Sequence, residues 1–222
     1  MQELIETFNN LKPSIPYILN GVWVTLQIAF FSALFGFILG IILAIFKISK
    51  YKVLSGFAHF YTSIFRGTPL IMQLSLVYLA LPQLFHFDIE PLTAAILTFS
   101  LNSAAYMSEI IRSGLNAVDK GQYEAAKALG VPYNKFMLDI ILPQAIKNIL
   151  PALMNEFITL TKESAIVSTI AVTDLMRRSE IVAANMYTYF PPMIVAFIVY
   201  YCLTMILTFI GSLLERRLGR SD

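Results

Sequence analysis

Ile18–Phe46 reads ILNGVWVTLQIAFFSALFGFILGIILAIF, an apolar run without a single charged residue. At 1.5 Å of rise per residue, about 20 such residues cross the ~30 Å hydrocarbon core of a bilayer. Four further stretches, Leu54–Leu81, Leu92–Ile111, Ile146–Val172 and Pro192–Leu214, approach or exceed the same length. The composition agrees: 57% of the 222 residues are hydrophobic and 14% are charged. Soluble domains carry about 25% charged residues, and the mean hydropathy here is +0.69. The predicted fold is all-α: one polytopic transmembrane helical bundle of five spans over residues 1–222.

The second span is the least regular, because Arg66-Gly67-Thr68-Pro69 interrupts it. Its apolar part, Leu70–Leu81, is too short to cross alone, so Tyr51–Phe65 reads as a tilted or interfacial helix leading into a kink. Pro69 supplies the kink, since proline lacks an N–H and clashes with the preceding turn.

Lys and Arg orient such a bundle, with the richer side facing the cytoplasm. Lys47, Lys50 and Lys52 follow span one; Arg112, Lys120, Lys127, Lys135 and Lys147 follow span three; Arg216, Arg217 and Arg220 close the chain. The other side has Lys12, Arg177 and Arg178, so the balance is eleven to three. This places the N-terminus outside and the C-terminus in the cytoplasm. Glu3 and Glu6 stand where a signal peptide needs basic residues, and the first apolar run is too long for a signal, so none is expected. Cys202 is the only cysteine, which excludes an intrachain disulfide. His59 and His86 have no neighbouring ligand cluster, so no metal site is expected, and the small net charge of +2 gives no reason to expect nucleic acid.

Ser32, Gly36, Gly40 and Ala44 recur every fourth residue along span one. They form a smooth stripe for close helix packing, against a neighbour in this chain or in a second one.

Residues 116–146, NAVDKGQYEAAKALGVPYNKFMLDIILPQAI, form the longest polar connection. Gln122–Leu129 is a short helix former with Glu124 near its start and Lys127 near its end, as the helix dipole favours. Gly130 is a natural left-handed stop and Pro132 prevents continuation. Val131, Tyr133, Phe136 and Met137 are apolar anchors on the same side. Here the sequence resembles a known family. Glu124-Ala125-Ala126, then Gly130, then Ile140-x-Leu142-Pro143 resembles the EAA motif of binding-protein-dependent ABC importer permeases. Phe65-Arg66-Gly67-Thr68-Pro69, Ala105-Tyr106-x2-Glu109-x2-Arg112, Gly121-Gln122, Leu142-Pro143-Gln144-Ala145 and Asn155-Glu156-Phe157-Ile158 are similar to the polar amino acid branch. Where that pattern expects Lys-Asp/Glu followed by Ser/Thr-Ser-Leu, this chain has Lys162-Glu163-Ser164-Ala165-Ile166.

The resemblance implies a permease that forms the pathway of an ATP-driven importer for a polar amino acid. It further implies that a connection at about residues 112–146 holds a coupling helix, with Glu124, Ala125, Ala126, Ala128, Leu129 and Gly130 against the ATPase. The implied partners are a dimer of ATP-binding subunits carrying ATP and Mg, a second permease copy or a related permease, and an extracytoplasmic solute-binding protein. The chain has no G-x-x-x-x-G-K-[ST] loop, because none of its lysines precedes Ser or Thr, so it lacks that means of cradling phosphates.

Polar groups inside spans are costly and mark functional sites or interhelical clamps. Asn102, Tyr106 and Glu109 share one face of span three, and Glu156, Thr159 and Glu163 one face of span four. Asn102, Tyr106, Asn155, Glu156, Thr159, Glu163 and Thr68 are the candidate solute-binding residues. Glu109, followed by Arg112, reads rather as a clamp, while Arg66 is open to lipid headgroups or an acidic partner. A secondary amino acid transporter or channel would use the same carboxylates, but leaves the 116–146 connection without a role. An intramembrane enzyme needs a nucleophile and base facing each other, and neither histidine has such a setting.

Overall fold

The computed structural model describes residues 2–219, so Arg220 of the charge count lies outside the described residues. Among these the chain is helical: α1 (Gln2–Leu11), α2 (Ile15–Leu19), α3 (Gly21–Ile48), α4 (Lys52–Gly67), α5 (Leu70–Ser75), α6 (Leu81–Phe85), α7 (Pro91–Asn116), α8 (Lys120–Ala128), α9 (Tyr133–Phe136), α10 (Leu142–Glu163), α11 (Leu175–Asn185) and α12 (Phe190–Gly219). Four continuous helical runs are long and apolar enough to cross a membrane. The fifth crossing is the pair Lys52–Gly67 and Leu70–Phe85, bent by 103°.

The packing shows why that bent pair counts as a crossing. Gly36 of α3 faces Ser103 of α7, and Gly40 faces Met107, so the two helices run parallel. Lys47, at the far end of α3, reaches Glu109 near the far end of α7. A chain that leaves α3 at one end and enters α7 at the other must traverse the bundle between them, and α4–α6 do so. α10 is antiparallel to α7, with Ile149 against Gly114 and Glu156 against Ser103. α12 returns, with Gly211 against Met154. Five crossings thus carry the two chain ends to opposite ends of the bundle.

The stripe of small residues has its neighbour within this chain. Ser32, Gly36, Gly40 and Ala44 are all buried. A Cβ added at Gly40 would lie 2.9 Å from the Met107 Cβ, and one at Gly36 3.0 Å from the Ser103 Cβ. α7 answers with its own small residues, Ser100, Ser103, Ala104 and Ser108, all buried. Ile28, Phe99, Leu160 and Val167 pack beside this seam as the main core. By contrast α12 leaves Phe197, Tyr201, Ile206 and Phe209 exposed, as a lipid-facing or partner-facing span does.

The interruption of the second span is a full break rather than a kink. Thr68 and Pro69 are both extended, with ψ of 148° and 136°. A residue before proline is driven out of the helical region by the ring, which explains Thr68. Two wider π turns, Leu76–Ala80 and Met137–Ile141, each end two residues before a proline, Pro82 and Pro143. In a regular turn the proline ring meets the carbonyl four residues back; the wider turn moves that carbonyl aside.

Two boundaries differ from the sequence reading. α7 continues to Asn116, past the Ile111 expected from hydropathy, because Gly114 still packs against Ile149 of α10. α10 passes at Ser164 into a 3₁₀ turn ending at Ile170, and the left-handed Ala171 (φ 62°) closes it. Beyond it Asp174 caps α11, accepting from the Arg177 N–H at 2.8 Å and the Tyr200 hydroxyl at 3.1 Å. Burial pushes this carboxyl up to about 6, against the two hydrogen bonds, which favour its charged form. Leu11, Ile18, Leu175 and Val182 seal this end of the bundle with α1.

The seam yields a paired test. Gly40→Ala should lower the melting temperature of the purified protein, since overpacking a tight contact costs about 1–3 kcal/mol. Gly56→Ala on α4, with nothing within 4 Å of the added carbon, should leave it unchanged or raise it. Equal melting of Gly40→Ala and wild type would show that the seam is looser than described.

Candidate functional site

Three groups of polar residues are stacked along α7. The first holds the break of the second span. Ending α4 at Gly67 leaves carbonyls without helical partners in a region where water is scarce. The Gln73 amide donates to the carbonyls of Phe65 (2.9 Å) and Thr68 (3.2 Å) and to the Thr68 hydroxyl (2.9 Å). Asn102 of α7 donates to the same Phe65 carbonyl and to the Gln73 side-chain oxygen, both at 3.0 Å. Thr68 completes the set by donating to the Ile64 carbonyl at 2.8 Å. Gln73 and Asn102 are both 6–7% exposed, while Thr68 at the edge of the network is exposed. The structure therefore gives Asn102 and Thr68, both candidate solute ligands, partners inside the chain. Tyr61 adds a tie from α4 to the Leu101 carbonyl at 2.7 Å.

The second group sits one turn along, where α7 meets α10. Glu156 accepts from the Ser103 hydroxyl at 2.8 Å, on the turn of α7 next to Asn102. Glu163 lies two turns further along α10, near enough for the two carboxylates to repel. Thr159, between them, returns its hydroxyl to the Asn155 carbonyl at 2.9 Å, and Asn155 itself is exposed. Glu156 is half-buried, and among the described residues no cation pairs with it.

The third group lies at the end of the bundle that carries α8. Lys47 has a fully enclosed side chain, donating to Glu109 at 2.6 Å and to the Ser108 hydroxyl at 2.8 Å. The second Glu109 oxygen takes Arg112, from Nε at 2.9 Å and Nη2 at 2.7 Å. This clamp fixes the ends of α3 and α7 to each other. Removing one partner of such a buried pair typically costs about 3–5 kcal/mol. Arg66, from the last turn of α4, stacks over the half-exposed Tyr106 ring at 5.3 Å. Of the residues the sequence singled out, Thr68 and Asn102 thus meet through Gln73, Glu156 joins α10 to α7, and Tyr106 pairs with Arg66. The partners Lys47, Gln73 and Ser103 stand 62, 29 and 53 positions from the residues they bind. No local pattern connects them.

Beyond the clamp, α8 begins at Asp119, whose side chain accepts from the Gly121 N–H, and ends in a Schellman turn. Val131 N–H bonds the Ala126 carbonyl at 3.0 Å, and Gly130 N–H bonds that of Lys127 at 3.2 Å. Gly130 has φ 66°, the left-handed stop read from the sequence. The helix occupies 120–128, two residues earlier than the expected start, because Asp119 caps it. Only Ala126 is buried, packing with Val118, Phe136 and Ile141. Glu124, Ala125, Ala128 and Leu129 face outward, and Leu129 is 81% exposed with Tyr133 at 69%. Phe136, one of the expected apolar anchors, is buried in this cluster and meets the Tyr123 ring edge-on at 5.0 Å. Among the described residues no group of three His, Cys, Asp or Glu is placed to hold a metal ion.

This arrangement has close counterparts among known proteins. A family model described as binding-protein-dependent transport system inner membrane component matches residues 36–220. The arginine transport system permease protein ArtQ of Bacillus subtilis is 56% identical over 215 residues, covering 97% of this chain and 98% of that protein. A Rickettsia bellii protein bearing the name glutamine transport system permease protein GlnP is 50% identical, covering 97% of this chain and 99% of that protein. A crystal structure of an amino acid ABC transporter with histidines superimposes with a TM-score of 0.91 at 42% identity, over 95% of this chain and 98% of that one. An inward-facing MetNI methionine transporter has a likeness of fold alone, with a TM-score of 0.76 at 23% identity, over 91% of this chain and 96% of that one. By motif, bundle and overall sequence, this chain belongs to the inner membrane components of binding-protein-dependent transport systems, as a permease subunit rather than an enzyme.

Proposed function

We propose that this chain forms the membrane pathway of an importer for a cationic amino acid, with Glu156 as the residue that receives the cation. The observation that carries the reading is the placement of Glu156: a half-buried carboxylate at the α7–α10 junction, answered by one hydroxyl and followed two turns on by Glu163. Ionisable groups at membrane depth mark solute paths because their desolvation is otherwise uncompensated. A guanidinium or ammonium passing between the two carboxylates supplies that compensation. Tyr106, Asn155 and Thr159 border the same path, while Asn102 and Thr68 shape it by holding the break. The arginine-transport name of the 56% identical relative supports the cationic choice.

Energy reaches the path through α8. Its outward face of Glu124, Ala125, Ala128 and Leu129, ended by Gly130, docks on an ATP-binding subunit dimer that carries ATP and Mg. That side is the cytoplasm, where the charge count also places the C-terminus, and α11 and the N-terminus face outside toward a solute-binding protein. Five spans are too few to enclose a solute, so a second copy or a related permease completes the pathway.

Three measurements follow from this reading. Glu156→Gln keeps shape and hydrogen bonding but removes the charge. In assembled complexes the concentration of a cationic solute needed for half-maximal uptake should rise about tenfold or more, as for loss of a charged hydrogen bond. Unchanged uptake kinetics in an assembled complex would remove Glu156 from the path. Gly130→Val forces a β-branched residue into the left-handed region and should weaken crosslinks from cysteines at positions 125–128 to the ATPase, together with transport. Wild-type transport in this variant would rule out the docking role. Reporter fusions should place the two termini on opposite faces, the C-terminus inside; both on one face would refute five crossings.

A further inference from the structure

Asp174 is a fully buried carboxyl that neither the pathway nor the coupling helix uses. It sits at the end of the bundle opposite α8, where four helical elements meet. Its side chain takes the Arg177 N–H of α11 at 2.8 Å and the Tyr200 hydroxyl of α12 at 3.1 Å. Thr25 of α3 and Ser164, at the end of α10, lie beside that same Tyr200 hydroxyl. Thr25 also accepts from the Leu175 N–H at 3.4 Å. Gly21 lets α3 come so near that an added Cβ would lie 2.6 Å from the Leu175 backbone.

A carboxyl so enclosed calls for a cation, yet the neighbouring ones are engaged elsewhere. Arg177 turns its guanidinium to Glu180 at 3.3 Å. Arg178 donates to the Thr173 and Tyr17 carbonyls while stacking on the Tyr17 ring of α2. Glu180 is also tied to Ser168, and its like charge bears on Asp174. From α3 and the end of α10 the facing groups are the hydroxyls of Thr25 and Ser164, and Glu163 is the residue before Ser164. Such a carboxyl is easier to bury neutral than charged. Tyr200 serves both forms: it donates to the carboxylate, or accepts the carboxyl proton while donating to Thr25 or Ser164.

The segment that Asp174 anchors is bounded by two non-glycine residues in the left-handed region, Ala171 (φ 62°) and Tyr187 (φ 49°). Strain of this kind persists only where the surrounding packing holds it. α11 is thus a short helix between two strained turns, fixed by what binds its first turn.

We propose that Asp174 is a pH-sensitive latch, which holds the first turn of α11 against α3, α10 and α12 more firmly when protonated than when ionised. The sign follows from proton linkage. The latched carboxyl titrates near 6 and a released one near its ordinary 3.8, so the latched form binds the proton more tightly. The extra hold is complete below 3.8 and is lost as the pH rises through about 6. Between pH 7.5 and pH 5 the ratio of latched to released α11 should therefore rise about tenfold. The importer reading enters only in naming the outer compartment as the one whose pH is sensed; the latch itself does not depend on it.

The test is hydrogen exchange of the α11 amides in the full chain, purified in detergent with the subunits that accompany it, so that both faces meet one pH. After division by the intrinsic exchange rates, wild type should be about tenfold better protected at pH 5 than at pH 7.5. Asp174→Asn keeps a capping side chain and stands in for the neutral carboxyl. Its protection at pH 7.5 should match that of wild type at pH 5 and should not change with pH. Glu180→Gln should retain the wild-type response. Wild-type protection that stays flat or falls on acidification overturns the latch, and so does an Asp174→Asn variant that still responds. A response lost in Glu180→Gln assigns the titration to Glu180 and overturns it as well. Should Asp174→Asn fail to assemble, the profiles of wild type and Glu180→Gln decide alone: both must rise on acidification with a midpoint near 6, and a flat profile in either refutes the proposal.

Discussion

A backbone that crosses lipid has no water to satisfy its N–H and C=O groups, so any break in a helix must be answered from within the protein. Among the described residues one such break lies at Thr68-Pro69, and the rest of the bundle is arranged around the answer. Gln73 and Asn102 converge on the Phe65 carbonyl, joining the two halves of the broken span to each other and to α7. α7 can serve as that anchor because it is itself fixed. Its small residues lie against the glycine stripe of α3, and Glu109 binds Lys47 at the far end of the same pair.

The same geometry explains how a pathway and a coupling element occupy one chain. The break ends α4 near the middle of the bundle and leaves Arg66 lining a cleft beside α7, together with Tyr106 and Glu109. α10 links that cleft to the α8 connection: it carries Glu156 at one level and packs Ile149 on Gly114 and the α8 core at another. The π turn at Met137–Ile141 joins the two regions just before Pro143, where a regular helix would be strained. In the proposed importer, a shift of α8 on its ATPase passes through this junction to the α10 carboxylates.

Much of this was legible in the sequence. The apolar runs identified the five crossings, Pro69 the site of the break, and Gly130 the left-handed end of α8, because each rests on local chemistry. The break exceeded the expected kink, since the sequence showed the proline but not the carbonyl acceptors that stabilise a full turn of direction. The tie from Asn102 to the Phe65 carbonyl, 37 residues away, was not legible, because an intramembrane polar residue looks alike whether it faces a cavity or a distant backbone carbonyl. Lys47 entered only as an orienting charge, and the sequence did not show that it is enclosed and paired with Glu109, 62 residues away. The partner of the α3 stripe was equally hidden. All of these depend on which helices become neighbours, a property that periodicity does not carry.

The claim at the centre is that Gln73 and Asn102 act as one unit to hold the broken span on α7. A double-mutant cycle with Gln73→Ala and Asn102→Ala, read as thermal stability of the assembled complex, measures that coupling. The expected result is strong non-additivity, with a coupling of about 0.5–3 kcal/mol, because either substitution alone undoes the shared contact. Losses that add to within about 0.5 kcal/mol would contradict the account, since residues that act independently behave in that way.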